Sequence, residues 1–111
     1  MAISSKEIRR KIEAEIGDDW SRSNLHKVEL KRCLLETPVL AVYENSFYVA
    51  EEPEGEVNQP TIELWLVLEE DPVGKKGYEI VYGEEADSFG LAAGRTFIGY
   101  YGSFIATFDA M

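Results

Sequence analysis

His26 and Cys33 are the only histidine and the only cysteine in this sequence, so they bound what nucleophilic or soft-metal chemistry it can perform. A cysteine nucleophile needs a base within hydrogen-bond reach. The two residues are seven positions apart. On a strand that odd spacing puts them on opposite faces, and on a helix they share a face but sit about 10 Å apart. Neither geometry makes a dyad. Two such residues also fall short of the three or four ligands of a zinc site. Cys33 reads as a small buried hydrophobe and His26 as a hydrogen-bonded or solvent-facing imidazole.

The 21 acidic residues allow many carboxylate pairs, so a pair suited to glycoside hydrolysis discriminates nothing. Two acidic runs stand out, Glu51, Glu52, Glu54 and Glu56, then Glu84, Glu85 and Asp87. Neither has the D-x-[DN]-x-[DN]-G spacing of a calcium loop, and both read as solvated loop acids. Gly74-Lys75-Lys76-Gly77 lacks the rest of a phosphate-binding loop and is explained by a turn. No G-x-G-x-x-G, G-x-S-x-G or H-E-x-x-H occurs. The sequence therefore predicts no catalytic residue, cofactor or metal ligand, and reads as a non-enzyme.

What it does carry is a candidate binding face. Trp65 and Val67 lie on the less apolar side of a strand, near Tyr78 or Tyr82 across a hairpin. Glu63, Glu69 and Glu79 would rim that patch. An aromatic anchor among acids suits a basic protein partner. Charge is distributed accordingly: residues 1–36 hold eight bases against seven acids, while residues 37–111 hold three against fourteen, for a net charge of -10 overall. That field repels phosphates and anionic lipid, which excludes nucleic acid and membrane surfaces as expected partners. Most aromatics also fall in the acidic part, away from the bases a nucleic-acid site would need.

Local signals place these residues on an α+β scaffold. Ser4 and Glu7 form a capping-box pattern, with Ile3 and Ile8 as a hydrophobic staple. Ile8, Ile12 and Ile16 make an apolar stripe, and Gly17 ends the helix, predicting Ser5 to Ile16 with Arg9, Arg10 and Lys11 on its solvated side. In Asn24 to Glu36, Val28 and Leu30 alternate with Lys27, Glu29 and Lys31 as a strand would, while Cys33, Leu34 and Leu35 read equally well in a helix; a strand is favoured, and Pro38 is expected to end it. Val39 to Ala50 is rich in β-branched and aromatic residues, with a bend at Asn45-Ser46. Glu51 to Pro60 reads as a solvated loop.

Thr61 to Glu70 is the strongest strand, with Ile62, Leu64, Leu66 and Leu68 on one face. Asp71 to Gly74 has type I turn residues, and Tyr78 to Tyr82 returns as its hairpin partner. Glu84 to Ser88 is a second acidic turn. The final segment, Phe89 to Met111, predicts a strand, a short strand through Phe97 and Ile98, and a helical turn capped by Ser103 in which Phe104, Phe108 and Met111 share a face. Its longest uncharged run is too short and too glycine-rich to span a membrane.

The expected architecture is one domain over residues 1–111: an N-terminal helix on an antiparallel sheet of about four strands, with a short C-terminal helix. The lone cysteine and the absence of a visible signal peptide suit the cytoplasm. Three functions fit. The first is an interaction module that docks a basic protein, in the manner of immunity proteins that mask nuclease toxins. The second is a small-ligand binder or carboxylate-dependent enzyme with a pocket between helix and sheet. The third is a self-associating subunit, a homo-oligomer built on edge strands or the apolar C-terminus.

Overall fold

The computed structural model describes residues 3–24, 27–46, 60–71, 73–74 and 77–111. The first helix, α1 (Ser5–Ile16), has the predicted bounds. The Ser4 side chain accepts from the Glu7 backbone N–H (3.2 Å), and Gly17 adopts φ 58 to close the helix. Ile8, Ile12 and Ile16 are buried, and each side chain contributes about 2 kcal/mol of gross apolar stabilisation. The basic run is not uniformly solvated. Arg9 donates to the Leu35 carbonyl (2.7 Å) and lies over the Trp20 ring, while Lys11 pairs with Asp87; Arg10 is exposed.

Of the expected strand over Asn24–Glu36 only Leu34 to Glu36 is strand, as the start of β1 (Leu34–Asn45); before it Leu30 to Cys33 forms a helical turn, α2 (Leu30–Cys33). Pro38 does not end that segment. It sits inside β1, in a stretch between Leu34 and Val39 where the register against the next strand shifts. Such an irregularity spares the ladder the N–H that proline lacks. Asn45 ends β1; Phe47 to Ala50, residues 51–59 of the expected loop, and His26 lie outside the described residues.

The remaining elements are β2 (Thr61–Glu69), β3 (Tyr78–Gly83), β4 (Ser88–Ala93), β5 (Thr96–Gly102) and α3 (Phe104–Ala110). The sheet has five strands rather than about four, because the glycine-rich C-terminal segment forms a full seven-residue β5. Strands β1 to β5 follow one another as an antiparallel meander. A short parallel pairing of Glu44 and Asn45 with Thr96 and Phe97 closes the sheet into a barrel. The Glu44 N–H donates to the Arg95 carbonyl (2.7 Å) at this seam. The seam covers the edge of the sheet only where β1 and β5 pair.

Two apolar clusters follow from strand alternation. Inside the barrel lie Tyr43, Leu64, Val81, Ala92 and Phe97, with Ala41, Ile62 and Leu66 packed on them. Outside it, α1, α2 and α3 cover Leu68, Ile80, Tyr82, Phe89 and Leu91. Leu68 was expected on the same face as Ile62, Leu64 and Leu66. A register shift between Leu66 and Leu68 sends it to the helix side, where Val67 also lies. Ser103 caps α3 as predicted, accepting from the Ala106 N–H (3.1 Å), and Phe104, Phe108 and Met111 are buried. A second cap comes from far in sequence: the Glu15 carboxylate accepts from the N–H groups of Phe104 (3.0 Å) and Ile105 (3.1 Å).

Candidate functional site

The seven residues of the expected binding face divide among three environments. Val67 (0% exposed) and Tyr82 (2% exposed) belong to the helix-covered core and form no surface. Tyr82 is the residue opposite Trp65, as expected across the hairpin, but its hydroxyl donates to Asp87 (2.5 Å) beneath α1. Desolvation, reinforced by that carboxylate, pushes its pKa up, and the same hydrogen bond holds Asp87 below the usual carboxylate range. The helices take Val67 because the central part of β2 is apolar on both sides and can be packed twice.

Trp65 and Glu63 remain on the outer face of the barrel. There they meet two residues that the sequence pattern did not single out. Ala41 and Tyr43 face the interior, so Leu40 and Val42 point outward on β1, each about half exposed. Leu40 lies opposite Trp65 and Val42 opposite Glu63, with Glu44 next along the same face. Trp65 is half-buried, its inner side packed on the helix-facing core. The signal for Leu40 and Val42 was present: Val39 to Val42 is an unbroken apolar run with no polar alternation. A sequence reader takes such a run for a strand covered on both faces. Here no described element covers its outside.

Tyr78, Glu69 and Glu79 occupy a third place, one end of the barrel. Glu69 and Glu79 are directly opposite each other in the β2–β3 ladder, and Tyr78 precedes them at the start of β3. With Asp71, Tyr43 and Arg95 they line a cavity of about 350 Å³, whose apolar wall is Ala41 and Leu66. Glu69 is buried and Glu79 half-buried, while Tyr78 is exposed at the rim. Arg95 reaches this end from the β4–β5 turn, where Gly94 and Arg95 both have positive φ (55 and 71), the geometry of a tight hairpin. Tyr43 is 3% exposed, and its pKa is raised by desolvation first, then by the fields of Glu79 and Glu69, against a lowering by Arg95.

The space expected to hold a ligand between helix and sheet is mostly filled by the outer apolar cluster. An open groove of about 370 Å³ remains between α1 and the β4–β5 side, edged by Lys11, Glu15, Asp87 and Ser103, with neither tyrosine nor tryptophan in its lining. Cys33 is buried as expected, and burial raises its thiol pKa. Its Sγ donates to the Glu70 carbonyl at 3.6 Å. Among the described residues no three or more His, Cys, Asp or Glu side chains cluster to hold a metal, and no helix is long and apolar enough to cross a membrane. Compared with family models, with curated proteins and with solved structures, the chain matches none, so the chemistry of its surfaces is read from their own geometry.

Proposed function

We propose that this chain is a non-enzymatic interaction module that docks a basic protein through the outer face of β1 and β2, as immunity proteins dock the toxins they mask. The observation that carries the reading is the side-by-side row of Leu40, Val42 and Trp65, bordered by Glu63 and Glu44. Two half-exposed aliphatic side chains beside a tryptophan are apolar surface that a partner can remove from water. Tryptophan flanked by aliphatics supplies the central anchor that carries most of the energy in protein interfaces. The acids beside it, on a chain of net charge -10, favour a basic partner and speed its approach. The same charge opposes pairing with a second copy. A single buried thiol fits a reducing compartment, and we assign the module to the cytoplasm.

The double substitution Leu40→Asp with Val42→Asp places carboxylates at two outward positions and leaves the barrel interior untouched. Affinity capture from native lysate, quantified by mass spectrometry, is expected to enrich a basic protein that about 0.5 M salt releases. The double variant should lose it by about tenfold or more. Equal recovery on the variant, or enrichment of no basic protein, overturns the reading. So does light scattering that finds a wild-type dimer abolished by the same substitutions, which assigns the face to self-association.

A further inference from the structure

We propose that the edge of β1 between Val39 and Tyr43 takes its partner by strand addition, an extended basic segment pairing antiparallel to Leu40 and Val42. This mode of attachment rests on the docking reading of the β1–β2 outer face and adds how the partner's backbone is held.

Backbone geometry locates the edge. The Asn45 N–H donates to the Pro60 carbonyl (3.1 Å) on the β2 side, whereas the Glu44 N–H donates to the Arg95 carbonyl (2.7 Å) on the β5 side. Successive residues of an extended strand alternate in this way between bonded and non-bonded positions against one neighbour. Leu40 and Val42 share the parity of Glu44, and the register against β2 is regular from Val39 to Glu44, so their N–H and C=O groups point away from β2. On that side β5 begins at Thr96 and pairs only with Glu44 and Asn45, so no strand among the described residues meets them.

Exposure agrees with this. Leu40 (49%) and Val42 (50%) are open on the outer face, and Val39, on the same face as the interior residues Ala41 and Tyr43, is 51% exposed. The sheet therefore gapes along this side of β1 on both faces. An apolar strand edge invites pairing unless proline, lysine or a bulge blocks it. The blocks in β1 come earlier: Pro38 lies in the register shift, and the Leu35 carbonyl is already held by Arg9 (2.7 Å). Val39 to Tyr43 contains none.

What fits two N–H and two C=O groups at strand spacing is another strand. In antiparallel pairing, partner residues that bond to Leu40 and Val42 share their face of the sheet, so those side chains extend the apolar row beside Trp65. Glu36 and Glu44 stand exposed at the two ends of the stretch, with Glu63 opposite Val42, which favours lysine or arginine at the ends of the added segment. A second copy would bring the same carboxylates and its own net charge of -10 to this edge.

The experiment begins with amide exchange of ¹⁵N-labelled protein. Leu40 and Val42 are expected to exchange about a hundredfold faster than Ala41 and Tyr43, whose N–H groups face β2, and equal protection of all four overturns the proposal. The protein is then titrated with the capped peptide Lys-Lys-Val-Thr-Val-Lys-Lys and two N-methylated analogues, one modified at both valines, the other at the threonine and the lysine after the second valine. All three carry the same side chains, so backbone pairing separates them. Saturable shifts over Val39 to Tyr43 are expected with the parent, and binding about tenfold weaker with methylated valines than with the other analogue. A glutamine-for-lysine peptide should also bind about tenfold more weakly, and equal binding overturns the choice of a basic segment.

Val42→Pro removes one N–H of the open edge and none of the β2 ladder. It should weaken parent binding about tenfold, against about threefold for Val42→Ala, which keeps that N–H. If Val42→Pro does not fold, the methylated pair decides. Equal binding of the two analogues, with capture still lost in the Leu40→Asp, Val42→Asp variant, overturns strand addition and leaves the docking face standing. Equal capture by wild type and that variant overturns the docking reading itself. Strand addition is also overturned by no saturable shift up to about 5 mM peptide, or by a wild-type dimer in which the Leu40 and Val42 amides are protected, which assigns the edge to a second copy.

Discussion

Replacing Gly90 by alanine tests how the barrel is closed. A Cβ at Gly90 would sit 2.4 Å from the Gly99 carbonyl oxygen and 3.1 Å from Phe97 Cε1. The first obstacle is backbone of the neighbouring strand and cannot rotate away. Gly90→Ala must push β5 off β4 or tilt Phe97 out of the barrel interior, where it is 2% exposed. Overpacking of this kind costs about 3 kcal/mol. A domain of this size holds roughly 5–15 kcal/mol in total. With an m-value near 1.5 kcal/mol/M the urea midpoint should fall by about 2 M, and the thermal midpoint by roughly 15 °C.

Gly83→Ala is the matched control. There the added Cβ would lie 2.2 Å from the Tyr100 hydroxyl oxygen, the far end of a side chain that is 40% exposed and whose displacement costs only its contact with the Phe97 ring. We expect a loss of about 1 kcal/mol. Urea unfolding followed by tryptophan fluorescence and by circular dichroism measures both variants. If the two lose the same stability to within about 0.5 kcal/mol, the distinction between a backbone and a side-chain obstacle is wrong. A Gly90→Ala protein as stable as wild type would mean that β4 and β5 are not held this closely.

Three further outcomes follow. Glu15→Ala removes the acceptor of two N–H groups at the start of α3 and should cost about 1 kcal/mol in urea unfolding, with Glu15→Gln recovering part of it; no loss in either would remove Glu15 as a cap. Tyr43, Tyr82 and Tyr100 all have pKa values raised above 10.0, chiefly by desolvation, so the folded state keeps protons that the unfolded chain gives up above that pH. Their stabilisation is complete below pH 10 and is lost as pH climbs past it; absorbance at about 295 nm should show part of the tyrosine signal rising only with unfolding, and early ionisation of all tyrosines would contradict the burial. Cys33 is 4% exposed with a raised thiol pKa, so a thiol reagent at about pH 8 should label it at the rate of opening rather than within seconds, and fast labelling of folded protein would contradict that placement.

The capped helices and β2 were legible in the sequence because their signals are local. Ser4, Glu7 and Gly17 set the bounds of α1 through hydrogen bonds and a positive φ within a few residues, and Ser103 does the same for α3. Elements whose signals conflict were misread. Asn24 to Glu36 alternates like a strand over its middle, yet Leu30 to Cys33 forms a helical turn whose Leu30 and Cys33 bury together under tertiary contacts. Pro38 breaks a strand only where its missing N–H is needed, and the register shift in β1 makes it unneeded.

The candidate site was legible only in its residue types. Trp65 among acids was recognisable, and so was the hairpin that brings Tyr82 opposite it. That Tyr82 and Val67 lie under helices, that Glu69 and Glu79 meet at a barrel end, and that Leu40 stands outside beside Trp65 depend on which side of the sheet the helices cover. Alternation separates two faces but does not name the inner one when both are apolar.

By itself the sequence determined an acidic α+β chain with one free cysteine and no catalytic or metal-binding constellation of known spacing. Those properties depend on composition and on interactions between near neighbours. The tertiary structure decided the closure of five strands into a barrel, the half-exposed outward row of Leu40 and Val42 on β1, and the acidic, tyrosine-lined cavity at the barrel end. Each of these rests on contacts between residues far apart in the chain, such as Glu44 with Thr96 and Glu15 with Phe104, whose partners local propensity cannot specify.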